Sequence, residues 1–295
     1  MVATLTPSAE RAEGMGMNAV STTPRAPVVR AVQLELPEHL DTAWNPVFPE
    51  FAAAANAVSL LMPHVEPYVA RSVRSVQDHL EEPLAGEVRA FVAQELQHQA
   101  QHRRLNQAMI AATPGLARVD RWAGAVYRWL ERRGSTRWSL AFAAGFETSA
   151  FALARWSEAH LRLLFDDAEP AVRTLFLWHL AEEVEHKTVA FDVHQRIDGS
   201  RLRYLLAGLW SLLLLAGFTW MGTVVQLWST RRIFSPVAWF RLVRWGLSLA
   251  FEVLPDLFAA AMPGHHPSQF SDPVLLVTWL ANFDPATGRD PLTPG

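Results

Sequence analysis

The chain contains no cysteine. That excludes disulfides, thiolate-held zinc or iron–sulfur clusters and cysteine nucleophiles, and leaves His, Asp and Glu as the only strong metal ligands. Charge is also sparse. Only 19% of residues are Asp, Glu, Lys or Arg, against about 25% in an ordinary soluble protein. With 50% hydrophobic residues and a net charge of −3, the chain is neither disordered nor a basic nucleic-acid binder, and no nucleic-acid partner is expected. β-Branched runs of period two are rare, so strands are not expected. No Gly-rich dinucleotide loop and no Gly-x-Ser-x-Gly elbow is present. Residues 1–30 lack the apolar core of a signal peptide and are expected to be a flexible tail, as are residues 285–295.

Between these tails the periodicity is helical. Helices are predicted over 48–62, 64–80, 84–111, 119–133, 136–166, 169–197, 201–231, 235–262 and 271–283. The breaks fall at Pro, Gly and Asp clusters such as Thr113-Pro114-Gly115 and Asp198-Gly199-Ser200. Pro63 and Pro67 flank Glu66 and predict a kink or restart there. The expected organisation is a helical bundle over 31–200 followed by an apolar helical extension over 201–284.

Residues 204–230 form a 27-residue run without Asp, Glu, Lys or Arg. About 20 apolar residues span a bilayer, so the run is long enough. Arg201, Arg203, Arg231 and Arg232 flank it, while Ser211, Thr219, Thr223 and Gln226 dilute it. Two readings stay open: membrane contact, or burial in the bundle or against a second subunit in a homodimer. The expected location is the cytoplasm, with this run as the point of any contact with the inner membrane.

Two Glu-x-x-His pairs carry the chemistry, Glu95 with His98 and Glu183 with His186. Positions i and i+3 share a helix face, so each pair aims a carboxylate and an imidazole at one point. The longer pattern His179-x3-Glu183-x2-His186 groups three ligand-type residues within about 60° of one face. Chance placement predicts about 0.03 copies of it in a chain of this composition. Glu147 lies on a helix between the two motifs among Phe and Ala, where an unpaired carboxylate is costly. Glu66 lies on a helix before them. One Glu from each of two helices plus Glu-x-x-His from two others is the arrangement of ferritin-like dinuclear carboxylate proteins. The predicted fold is therefore an all-α, ferritin-like four-helix bundle with additional apolar C-terminal helices. In many ferritin-like enzymes an acidic residue directly precedes the ligand Glu and orients a histidine on the facing helix, and Glu182, which precedes Glu183, resembles that pattern. Its counterpart, Gln94, is neutral. His102, one turn beyond His98, is a second supporting candidate.

This ligand order resembles that of the non-haem di-iron arylamine N-oxygenases. In that family an additional histidine, one turn before the second Glu-x-x-His, is a seventh ligand, and His179 holds the corresponding position. The wider text is similar to a bacterial family called predicted metal-dependent hydrolases. The segments that carry this likeness are Glu87-Val-Arg-Ala-Phe91, His102-Arg-Arg-Leu-Asn106, His179 to Asp192 and Pro263-Gly-His-His-Pro267. The expected cofactor is two metal ions, iron favoured over manganese or zinc. The expected activity is oxidation of a small, apolar organic molecule with O2, with electrons from an external donor. The alternatives are a metal-dependent hydrolase and a non-enzymatic, membrane-associated metal-binding protein.

Overall fold

A computed structural model describes residues 26–32, 34–36, 40–288 and 291. Helices dominate it, and no strand occurs among the described residues. In chain order they are α1 (Pro49–Arg74), α2 (Leu84–Ala112), α3 (Leu116–Arg133), α4 (Thr136–Ala159), α5 (Leu161–Phe165), α6 (Pro170–His186), α7 (Val189–Ile197), α8 (Arg201–Ser229), α9 (Pro236–Ala261) and α10 (Val274–Asn282). Several starts follow from local chemistry. Ser135, Glu169, Ser200 and Ser235 each accept a hydrogen bond from the backbone N–H three residues on, and Pro170 and Pro236 open their helices.

The expected break at Pro63 and Pro67 is absent, and α1 runs through both prolines. Pro63 has no N–H to donate to the Ser59 carbonyl. Asn106 Nδ2 on α2 donates to that carbonyl instead, at 2.9 Å. Conversely, the predicted helix 136–166 is interrupted at His160, whose ring Nδ1 lies 2.8 Å from the Trp156 carbonyl and caps the end of α4. The predicted helix 169–197 is likewise divided, between α6 and α7 at Lys187 and Thr188.

Helices α1, α2, α4 and α6 surround a common core containing Tyr68, Phe91, Phe142 and Trp178, all buried. α8 packs along α1 and α4. Its dilute polar residues supply the side that faces the bundle. Gln226 donates to the Ala53 carbonyl at 2.8 Å and accepts from Asn56 at 2.8 Å, and Ser211 and Thr223 are buried. At the α4–α8 crossing Gly145 meets Gly208 so closely that a Cβ on Gly145 would lie 2.3 Å from the Gly208 Cα. The opposite side of α8, including Leu206, Leu213 and Trp220, is exposed.

Of the tail expected over 1–30, residues 1–25 lie outside the described residues. Residues 26–30 are not loose: Val28 and Arg30 are tied to α6 by hydrogen bonds to Glu185 and Glu182. At the other end, residues 289, 290 and 292–295 lie outside the description.

Candidate metal centre

Glu66 on α1, Glu95 and His98 on α2, Glu147 on α4, and His179, Glu183 and His186 on α6 converge in the core. None is more than 8% exposed. Among them, Glu95, Glu147, Glu183 and His186 form one group, and His98, His179 and Glu183 another. Glu66, Glu95 and His98 form a third. Within each group the candidate donor atoms lie within 4.8 Å of one another. Glu95 and Glu183 thus each belong to a group containing His186 and to one containing His98.

Hydrogen bonding fixes which ring nitrogens face the centre. His98 Nε2 lies 3.0 Å from Glu182 Oε2, a pure acceptor when ionised. That nitrogen therefore carries the proton, leaving the Nδ1 lone pair turned inward. Gln94 Nε2 donates to Glu185 and to the Val28 carbonyl. Its Oε1 consequently accepts from His186 Nε2, at 3.0 Å, which turns His186 Nδ1 inward too. The third relay is longer. Asn106 Oδ1 accepts from the Ser59 hydroxyl at 2.8 Å, so the hydroxyl oxygen accepts from His102 Nδ1 at 2.8 Å. His102 Nε2 is then an acceptor for His179 Nδ1 at 2.6 Å. The remaining His179 nitrogen, Nε2, faces Glu183 at 2.8 Å and Glu66 at 3.5 Å. His98 and His186 thus turn Nδ1, and His179 its Nε2, toward the carboxylates, and these are the atoms a metal ion would take in place of any proton they carry.

The carboxylates have the complementary problem. Both oxygens of Glu66, Glu95 and Glu147, and Glu183 Oε2, are buried without a hydrogen-bond partner, as are His98 Nδ1 and His186 Nδ1. Burial raises the Glu66 and Glu147 carboxyls well above their ordinary range, and the neighbouring glutamates push the same way. Burial alone would depress His186, but Glu183, Glu147 and Glu95 outweigh it and raise its pKa well above the usual value. Glu183 is held well below its ordinary range, because His186 and His179 overcome the effect of burial. Burial, reinforced by neighbouring imidazoles, lowers the pKa values of His102 and His179, although Glu183 acts against it at both. Two unit charges of like sign 4 Å apart repel by about 4 kcal/mol even at an effective dielectric of 20. A cluster of buried carboxylate oxygens without hydrogen-bond partners, facing inward-turned imidazole nitrogens, is therefore matched to cations. The donor set is N and O only, which suits iron, manganese or zinc.

Outside this ring, Arg30 donates to Glu182 at 2.9 Å and to Glu185 at 3.0 Å. Glu182 leads to His98, and Glu185 leads through Gln94 to His186. Burial would raise the Glu182 carboxyl, but His98 and Arg30 hold it below its ordinary value. Arg30, Glu185, Ser59 and Asn106 were not singled out from sequence. Asn106, four residues after His102, had a helical-spacing signal; Arg30, 152 residues from Glu182, had none. His265 and His266 stay outside the centre.

Fold and site together define an all-helical protein with a buried His/Glu cluster able to hold metal ions. The chain belongs to the family described as "Predicted metal-dependent hydrolase", whose model matches residues 28–271. No curated protein and no solved structure matches the chain.

Proposed function

We propose that the chain is a dinuclear metal-dependent enzyme, with Glu95 and Glu183 shared between two ions. One ion would also take Glu147 and His186, the other Glu66, His98 and His179. The observation that carries this reading is the set of inward-facing imidazole nitrogens opposite buried carboxylate oxygens that have no hydrogen-bond partner. The four-helix provenance of the ligands, with Glu-x-x-His on two helices and a single Glu on each of two others, also supports a ferritin-like relationship.

Family membership favours hydrolysis. Bound divalent ions would lower the pKa of a coordinated water and supply a nucleophile near neutral pH. The chain's own contribution is orientation and exclusion. Glu182 and Gln94 hold two imidazoles in the ligating tautomer, the His102–Ser59–Asn106 relay holds the third, and Phe91 and Trp178 pack against His186 and His98 and shield them from water. A second reading, oxidation of an organic substrate with O2 by a di-iron pair and an external electron donor, is supported by the donor count. Four carboxylates offset the charge of two divalent ions and leave a near-neutral centre. Zinc has no redox chemistry, so metal substitution separates the two. Zinc-loaded protein that cleaves esters or amides equally well with and without O2 supports hydrolysis. Activity confined to iron-loaded protein, with O2 consumed alongside substrate, overturns it in favour of oxidation.

A further inference from the structure

The outer side of α8 and α9 leaves large apolar side chains open to solvent. On α8 Leu202, Leu206, Trp210, Leu213 and Trp220 recur at helical spacing along one stripe, between 40% and 68% exposed. On α9 Phe240, Leu247, Phe251 and Phe258 continue it, Phe251 reaching 79%. Monomeric soluble proteins rarely leave so extended an apolar face uncovered.

Charge identifies what covers it. Within 201–262 the only acids are Glu252 and Asp256, and Arg155 pairs with both. The exposed charges on the segment are Arg231, Arg232 and Arg244; Arg232 also reaches Glu50 at 3.7 Å, which leaves Arg231 and Arg244 for a partner. Arg231 sits at the α8–α9 turn with φ 59°, a left-handed conformation that favours glycine. The turn thus carries a guanidinium where a residue without a side chain would fit more easily, beside Arg232 and exposed Trp228. An isologous dimer would lay these arginines against a second copy of the same acid-free face. Anionic lipid headgroups supply the missing negative charge, and Trp at the edge of an apolar face suits a membrane–water boundary. A groove of about 410 Å3 opens at the same face, where Trp210 meets Trp129, Trp138 and Arg133.

We propose that the α8–α9 face docks on an anionic lipid bilayer, with both helices lying in the plane of the interface. α8 is long and apolar enough to cross a membrane by length and composition. However, Gln226 and the Gly145–Gly208 crossing fix its inner side to α1 and α4. At about 1.5 Å per residue its 29 residues lay a stripe of about 43 Å along the membrane surface.

The test is flotation of the full, metal-loaded chain with vesicles of equal parts phosphatidylcholine and phosphatidylglycerol, and with phosphatidylcholine alone. The chain floats with the mixed vesicles, and brominated lipid quenches its tryptophan fluorescence. Combining Phe240→Glu, Leu247→Glu and Phe251→Glu abolishes both signals, with bound metal and helical circular dichroism unchanged. Arg231→Gln with Arg244→Gln weakens binding to the mixed vesicles about 30-fold, at about 1 kcal/mol per basic residue near an anionic surface. If the unaltered chain neither floats nor is quenched, the proposal is wrong. A dimer in vesicle-free buffer that the triple substitution splits into monomers would assign the face to a second copy instead. Neither outcome depends on which reaction the metal centre performs.

Discussion

Replacing Arg30 with Met tests how the centre is held from outside. The guanidinium donates to Glu182 and Glu185, and its side chain is 16% exposed while theirs are 0% and 5% exposed. Removing one partner of a fully buried ion pair costs about 3–5 kcal/mol. Partial exposure of Arg30 lets water screen the stranded carboxylates, so about 2–3 kcal/mol of folding stability is expected to be lost. Metal affinity should fall as well, because Glu182 and Glu185 lead to His98 and to Gln94–His186. Loss of such an outer hydrogen-bond partner lowers metal affinity by about 10–100-fold. Arg30→Lys keeps the charge but not the fork that reaches both carboxylates, and should fall between wild type and Arg30→Met. Competition with a chromophoric chelator gives the affinity, and denaturant unfolding gives the stability. Wild-type values for both in Arg30→Met would refute the idea that residues 26–30 support the centre.

Stability of the metal-free chain should fall as pH rises from neutral to mildly alkaline. Glu66 and Glu147 are raised well above 4.5 by burial and by neighbouring carboxylates, while the surrounding glutamates raise His186 well above 6.5 despite its burial. Above about 6.5, where the histidines of an unfolded chain have lost their protons, the folded chain binds more protons than the unfolded one, so raising pH favours unfolding; below it His102 and His179, whose pKa values burial lowers, act in the opposite sense. Glu183, held low, acts in the opposite sense only below about 4.5. Bound metal replaces those protons, so the gap in Tm between metal-loaded and chelated protein should widen with pH; a constant gap contradicts this. Gly145→Ala should destabilise the fold by about 1–3 kcal/mol and weaken metal binding through Glu147, since its Cβ would press on the Gly208 backbone. Gly217→Ala, with no atom within 4 Å of the new Cβ, should leave the denaturation midpoint unchanged or raise it.

Helical periodicity and ligand spacing are local properties, so most helices and the convergence of seven Glu and His residues were legible before the structure. Gln94 and Glu182 were legible as counterparts because each directly precedes a ligand glutamate. The continuity of α1 was not legible, because what rescues the carbonyl orphaned by Pro63 is Asn106, on another helix. Arg30 was hidden for the same reason: its partners are more than 150 residues away. The apolar run of 204–230 left burial and membrane contact open, and the structure shows why. Its polar residues all but trace the inner side, where Gln226 and Ser211 are buried, while leucines and tryptophans on the other side remain exposed.

The central claim is that these buried glutamates and histidines hold metal, and metal stoichiometry measures it most directly. Protein reconstituted with iron, manganese or zinc and freed of loosely bound ions should retain two ions per chain by elemental analysis. Glu95→Ala combined with Glu183→Ala removes the two carboxylates assigned to both ions and should reduce retention to near zero, with helical circular dichroism preserved. Full occupancy in that double variant, or no retained metal in the unaltered chain under any of the three loadings, would contradict the account.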